Sequence, residues 1–294
     1  MITIFSIPKP FVGHIGVIQR NAIRSWLQQS CKPEVVLFCT DEGVAEVSAE
    51  LGVQHCPSIE SNRFGTPLVS SAFKIAQERA RTPLMMYTNA DMIYPTDLAI
   101  ASSQLKTNEF LACGRRWDVD ITEEIDFREP DWHISVLDKL KANGKLHAPA
   151  GSDYFIFPRG LVQMPEFAVG RPGWDNWLIY NMRARGIAVV DATNAITAVH
   201  QNHDYSHSRF GGSSKVLGPE YEQNVKSAHG HLNMMTLRDA NWILDDGGMR
   251  KPGLRRRILS SLSLFYPWRL LLLFKRRIQF NIDLASRKMN EGRA

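Results

Sequence analysis

The sequence has no glycine-rich phosphate loop of the mononucleotide or dinucleotide type, which argues against a P-loop nucleotidase or a nicotinamide enzyme. It has no uninterrupted apolar run of the roughly 20 residues that a spanning helix needs. It also has no internal repeat or low-complexity tract. Its N-terminus, Met1-Ile2-Thr3-Ile4-Phe5-Ser6-Ile7-Pro8, lacks the basic start of a secretory signal and turns polar early, so it reads as a first strand. Cysteine is scarce: Cys31, Cys39, Cys56 and Cys113 follow no metal-binding spacing and three lie in apolar stretches, as expected of reduced thiols in a cytoplasmic protein.

Acidic residues are almost missing from the C-terminal stretch. From Arg250 onward there are 12 Lys and Arg against 2 Asp and Glu, so the rest of the chain carries −5 within a total of +5. A basic tail on an acidic body argues against a nucleic-acid-binding core and for an anionic surface met by the tail. We therefore expect a catalytic domain over residues 1–245 and a basic, amphipathic helical tail over residues 246–294. In the tail, Leu254, Ile258, Leu259, Leu262 and Phe265 recur at helical spacing beside Arg255, Arg256 and Arg257. A second segment from Pro267 joins Trp268 and Leu270–Phe274 to Lys275, Arg276 and Arg277.

Composition is that of an ordinary folded protein, 44% hydrophobic and 22% charged. Short apolar runs alternate with segments of helical period, the mark of repeated βαβ units and an open, mostly parallel sheet. The expected strands are Thr3–Ser6, Val35–Thr40, Leu84–Thr88, Phe110–Cys113, Tyr154–Phe157 and Ala188–Val190. The expected helices are Ile15–Gln29, Val44–Leu51, Leu68–Arg81 and Asp97–Leu105. The charged, Trp-rich stretch from Arg115 to Leu146 reads as an irregular insertion.

In open α/β sheets ligands bind beyond the carboxyl ends of the strands. Three such ends carry polar residues: Ser6-Ile7-Pro8, Cys39-Thr40-Asp41 and Thr88-Asn89-Ala90-Asp91. Asp91 offers the carboxylate that Mg²⁺ or Mn²⁺ needs beside a diphosphate, while a turn with a helix cap explains Asn89 and Asp91 equally well. Asp118-Val119-Asp120 is a second acidic pair and ranks behind it. Gly173-Trp174-Asp175-Asn176 opens a helix, where Asp175 is either a cap or a general base and Trp174 a flat platform for a sugar ring. The stretch His200-Gln201-Asn202-His203-Asp204-Tyr205-Ser206-His207 is dense in imidazole, with His200 the expected metal ligand rather than all three histidines.

These motifs, in this order across roughly the first 230 residues, resemble the GT-A glycosyltransferases, in particular bacterial family 2-like enzymes of cell-surface polysaccharides. The resemblance implies that Pro8, Asp41 and Arg63 hold the nucleotide and that Asn89-Ala90-Asp91 stands where the family has Asp-x-Asp. It further implies that Asp175 is the base of an inverting transfer and that His200 completes the metal shell. Arg115 or Arg116 would add a cation at the leaving diphosphate, and Asp153 of Gly151-Ser152-Asp153 would face donor or acceptor unless it serves a turn. The sequence departs from the family at Asn89, which replaces an acid, and at a shortened base motif. The implied partners are a nucleotide-sugar donor and a glycan or lipid-linked acceptor, and the implied location is the inner face of a membrane. A nucleotidyltransferase, a metal-dependent hydrolase and a sugar-binding protein on a degenerate transferase fold are the competing readings.

Overall fold

The computed structural model describes residues 1–203, 218–271 and 274. The first half alternates strand and helix: β1 (Ile2–Ser6), α1 (Gly13–Leu27), β2 (Glu34–Phe38), α2 (Val44–Leu51), β3 (Gln54–Cys56), α3 (Val69–Arg79) and β4 (Leu84–Thr88). There follow β5 (Met92–Ile93), α4 (Leu98–Ser103), β6 (Phe110–Cys113), β7 (Arg116–Val119), α5 (Trp132–Asn143), β8 (Lys145–Leu146) and β9 (Tyr154–Pro158). The chain continues through α6 (Trp174–Ala184), β10 (Ala188–Asp191), β11 (Ala198–Gln201), α7 (Pro219–Ser227), β12 (Trp242–Asp245), β13 (Gly248–Arg250) and α8 (Leu254–Leu262).

Nine strands form the main sheet in the order β13-β12-β10-β6-β9-β4-β1-β2-β3. The pairs of β1 with β2 and β4, of β2 with β3, and of β10 with β6 and β12 are parallel, while β9 runs against both β4 and β6. The fold is the expected α/β arrangement, a large and mostly parallel sheet between helices. Its strands are buried on both faces, which is why they read as continuous apolar runs. Phe5, Met85, Tyr87, Phe155 and Phe157 point to the side covered by α3 and α6. Their neighbours Ile4, Met86, Tyr154 and Ile156 point to the side covered by α1. The chain leaves β1 toward β2 and β3 on one side and returns to β4 on the other. Such a reversal is where open α/β sheets bind their ligands, beyond the carboxyl ends of the two strands, here β1 and β4.

A second sheet, β5-β11-β7-β8, stands beside those strand ends. It corrects the expectation of an irregular insertion after Arg115. Here β7 pairs with β11, and α5 covers a small core of Ile93, Val119, Ile121, Val136 and Val199. Only Val136 of α5 is buried, so the helix has too narrow an apolar stripe to announce itself. At the far edge, β13 pairs with β12 and carries the main sheet on to Arg250.

Candidate functional site

Register brings the site together. His200 in β11 lies opposite Met92 of β5, the residue after Asp91, and opposite Asp118 of β7 on its other side. The Asp91 backbone is held in place by Gln201, whose amide N–H and side-chain Nε2 donate to the Asp91 carbonyl at 3.3 and 3.2 Å. Gln201 is fully buried and donates also to the Ile18 carbonyl, 2.7 Å, which ties this corner to α1.

Asp91, His200 and His203 form a candidate metal site, with one ligand atom from each lying within 4.8 Å of the others. His203 Nε2 is 3.3 Å and His200 Nε2 3.7 Å from Asp91 Oδ2. The other oxygen, Asp91 Oδ1, is buried and has no hydrogen-bond partner among the described residues. A buried carboxylate oxygen left unpaired is costly, and with two imidazoles gathered at the other oxygen of the same carboxylate the arrangement fits a bound cation. On the far side of the His200 ring, Nδ1 lies 3.2 Å from Asp118 Oδ1 without hydrogen-bond alignment. A carboxylate behind a ligating imidazole fixes the orientation of the ring. Lys9 Nζ, just beyond β1, approaches to 3.3 Å from His203 Nε2. Burial disfavours ionisation of Asp91, yet the hydrogen bond from His203 and the charges of His200 and Lys9 hold its carboxyl well below the usual range. Asp118 is likewise held low against its burial, by His200, His147 and Arg116.

A second cluster is closed on itself. Arg116 bridges Asp153 at 2.7 Å and Asp118 at 2.8 Å. Asp153 accepts in addition from Asn89 Nδ2 at 2.6 Å, and Asn89 Oδ1 accepts from the Tyr87 hydroxyl at 3.2 Å. His147 Nδ1 lies 2.8 Å from Asp118 Oδ2. Both the oxygen and the nitrogen of the Asn89 amide are therefore engaged within this cluster.

Asp175 sits in the first turn of α6, which starts at Gly173 with φ +111°, a conformation that only glycine adopts without strain. Its Oδ2 accepts from the Ser152 amide at 3.4 Å. Burial pushes the carboxyl up to about 6, aided by the charge of Asp153 and opposed by backbone N–H groups.

The other expected site residues fall as follows. Pro8 is buried behind β1, its carbonyl accepting from the Cys39 thiol at 3.5 Å. Asp41 lies exposed just past β2, and Arg63 is exposed with its guanidinium 4.8 Å from the Phe64 ring. Arg115 is taken up structurally, donating to the carbonyls of His147 at 2.6 Å and Leu146 at 3.2 Å, while its neighbour Arg116 enters the polar cluster. Trp174 is corrected from sugar platform to core side chain. It is only 6% exposed and packs among Phe73, Tyr87 and Phe155. Asp118 belongs to the site through an ordered strand, whereas Asp120 is exposed and accepts from Asn202 at 2.8 Å. Sequence reasoning passed over Lys9 and His203. For His203 the signal was present, an imidazole three residues beyond His200. The residues Asp204, Tyr205, Ser206 and His207 lie outside the described ones.

The fold and site thus define an α/β protein with a carboxylate-and-imidazole cluster at the switch point of its sheet. No family model and no curated protein matches the chain. Among solved structures it is similar to a mannosyltransferase from Pyrobaculum calidifontis in complex with GDP-Man and Mn²⁺, at 14% identity over 92% of this chain and 82% of that one, TM-score 0.43. It is similar also to glucosyl-3-phosphoglycerate synthase from Mycobacterium tuberculosis in complex with Mn²⁺, UDP and phosphoglyceric acid, at 13% identity over 77% and 76% of the two chains, TM-score 0.46. A third is S. aureus TarS 1-349 in complex with UDP-GlcNAc, at 12% identity over 77% and 70%, TM-score 0.45.

Proposed function

We propose that the chain is a glycosyltransferase that takes a sugar from a nucleotide-diphosphate donor bound beyond β1 and β4. The observation that carries this reading is the Asp91–His200–His203 cluster at those strand ends, with Asp175 on the neighbouring helix. Asp91, His200 and His203 would hold a divalent cation, and two imidazoles with one carboxylate favour Mn²⁺ over the all-oxygen preference of Mg²⁺. Such a cation supplies Lewis-acid stabilisation of the charge that grows on a departing diphosphate. The chain's own residues do the rest. Lys9, whose ammonium burial pushes below the usual lysine range while the Asp91 charge pulls it back up, stands on the β1 side of the cluster, suited to a phosphate oxygen. Asp175, with its carboxyl raised to about 6, is ionised at neutral pH yet basic enough to take a proton from an acceptor hydroxyl. A single base and a direct attack give an inverting outcome. The acceptor would be a glycan or a lipid-linked saccharide.

A second reading has its own support, since two histidines and one acid with open positions are also the ligand set of catalytic zinc in hydrolases. One experiment separates the two: nucleotide-sugar donors are screened for slow hydrolysis with Mn²⁺ present, alongside metal analysis of the purified protein. Donor turnover that depends on Mn²⁺ is expected. Tightly held zinc with no affinity for any nucleotide would overturn the transferase reading.

A further inference from the structure

We propose that α8 and the described residues after it, 263–271 and 274, dock the chain on the surface of an anionic lipid bilayer. The helix is seated with its polar side inward. Arg256 donates to Asp191 Oδ2 at 2.8 Å and to the Leu237 carbonyl at 2.6 Å, and the Ser260 carbonyl accepts from Arg183 at 2.8 Å. Ser260 and Ser263 are buried, so Arg256, Ser260 and Ser263, spaced four and three apart, make up the inward stripe. The apolar residues face out. Leu254 is 69% and Ile258 51% exposed, and Leu262, Phe265, Leu270 and Phe274 continue the ridge among the described residues. A helix packed for its own fold buries its apolar stripe. This one is anchored by charge and backbone bonds and offers that stripe to an outside partner. Single exposed hydrophobics are ordinary, but a contiguous run of them beside charge marks an interaction surface.

Charge selects the partner. Between Asp246 and Asp283 the sequence has nine Lys and Arg and no acid. Arg255 and Arg257 are exposed beside the apolar ridge. A two-fold contact with a second copy would set the same cations against each other, whereas an anionic bilayer supplies both an apolar layer and negative headgroups. Among the described residues no helix is long and apolar enough to cross the membrane. The helix also stands next to the site. The Leu237 amide donates to the Pro149 carbonyl at 3.0 Å, and Arg269 donates to the Leu232 carbonyl at 3.2 Å. Pro149, Asn176, His231, Met235 and Arg238 wall a cavity of about 460 Å³, Asn176 being the residue after Asp175. If the transferase reading holds, on which only this last step rests, docking brings that cavity to the height of a lipid-linked acceptor.

The test is flotation of the full chain with vesicles of phosphatidylcholine alone and of phosphatidylcholine mixed with phosphatidylglycerol. The chain is expected to float with the mixed vesicles only. Arg255→Glu with Arg257→Glu, and separately Ile258→Asp with Leu262→Asp, should each weaken that binding by more than about tenfold. Both pairs lie on the outward side, and circular dichroism checks that the variants fold. Donor hydrolysis in the absence of lipid should be the same in all three proteins, so failure to float and failure of the catalytic reading are separate results. A wild-type chain that ignores both vesicles, or floats equally with neutral ones, overturns the proposal. So does a dimer seen by sedimentation that the apolar pair abolishes while flotation is unchanged, since the ridge would then be an interface between copies.

Discussion

Two carboxylates flank the end of β4, and they are treated in opposite ways. Asp153 is saturated, with Arg116 on one oxygen and Asn89 on the other. Asp91 has one oxygen beside His200 and His203 and the other buried with no hydrogen-bond partner among the described residues. Buried polar groups in folded proteins are nearly always paired, so the exception calls for a ligand. In the proposed transferase Asp153 is scaffold and Asp91 carries the chemistry, although the two are joined through Asn89, only two residues before Asp91.

The sharpest way to break this contrast is to remove each acid in turn and follow the metal. Asp91→Ala should lose more than about a hundredfold in Mn²⁺ affinity by calorimetry, beyond the 10–100-fold typical of residues that only orient a ligand. The rise in melting temperature on adding Mn²⁺ should vanish with it. Asp153→Ala should keep a Mn²⁺-dependent rise but start from a protein less stable by about 3 kcal/mol, because Arg116 is left buried with half its charge partner gone. The roles are reversed if Asp153→Ala silences the metal response and Asp91→Ala does not.

Next in size is Asp175→Asn, which should lower turnover by about two to four decades while donor affinity stays near wild type. Collapse of donor affinity instead would make Asp175 a donor ligand. Smaller still is Asp118→Asn, which keeps the shape beside His200 but removes the charge behind its ring. Mn²⁺ affinity should fall by about 10–100-fold. An unchanged affinity in that variant would leave Asp118 as no more than a partner for Arg116 and His147.

The same contrast explains what the sequence could and could not reveal. Buried parallel strands are legible as apolar runs, and Asp91 and His200 stand out because each sits at or near a strand end. The small sheet was hidden, since Arg116-Trp117-Asp118-Val119 and Ala198-Val199-His200-Gln201 gain their apolar neighbours only by pairing with each other. The partner of the Asn89 amide, Asp153, was hidden because it lies 64 residues away in sequence. Trp174 was misjudged because spacing gives the period of a helix but not which side of it meets the sheet. The direction of the tail's amphipathic helix was fixed by Asp191 and Arg183, neither of which is near it in the chain.

The smallest expected effect concerns stability and carries its sign in the titration of Asp175. Its carboxyl is pushed from the ordinary 3.8 up to about 6, chiefly by burial. Below about pH 4 the group is protonated in both the folded and unfolded chain and has no effect on the balance. Between 4 and 6 the folded chain holds the proton that the unfolded chain has released, so stability contributed by this group falls as pH rises, and above 6 the loss is complete. A shift of about two units corresponds to a loss of up to about 3 kcal/mol. Asparagine can still accept the Ser152 amide but has no charge to bury. Asp175→Asn should therefore match the wild type near pH 4 and become progressively more stable than it between pH 4 and 6. The gain at pH 7 should be about 1–3 kcal/mol by urea unfolding. A residue kept in place at a cost in stability, whose removal stabilises the fold while silencing turnover, is behaving as a catalytic base. A gain independent of pH would trace to packing, and a loss of stability at every pH would make Asp175 a helix cap.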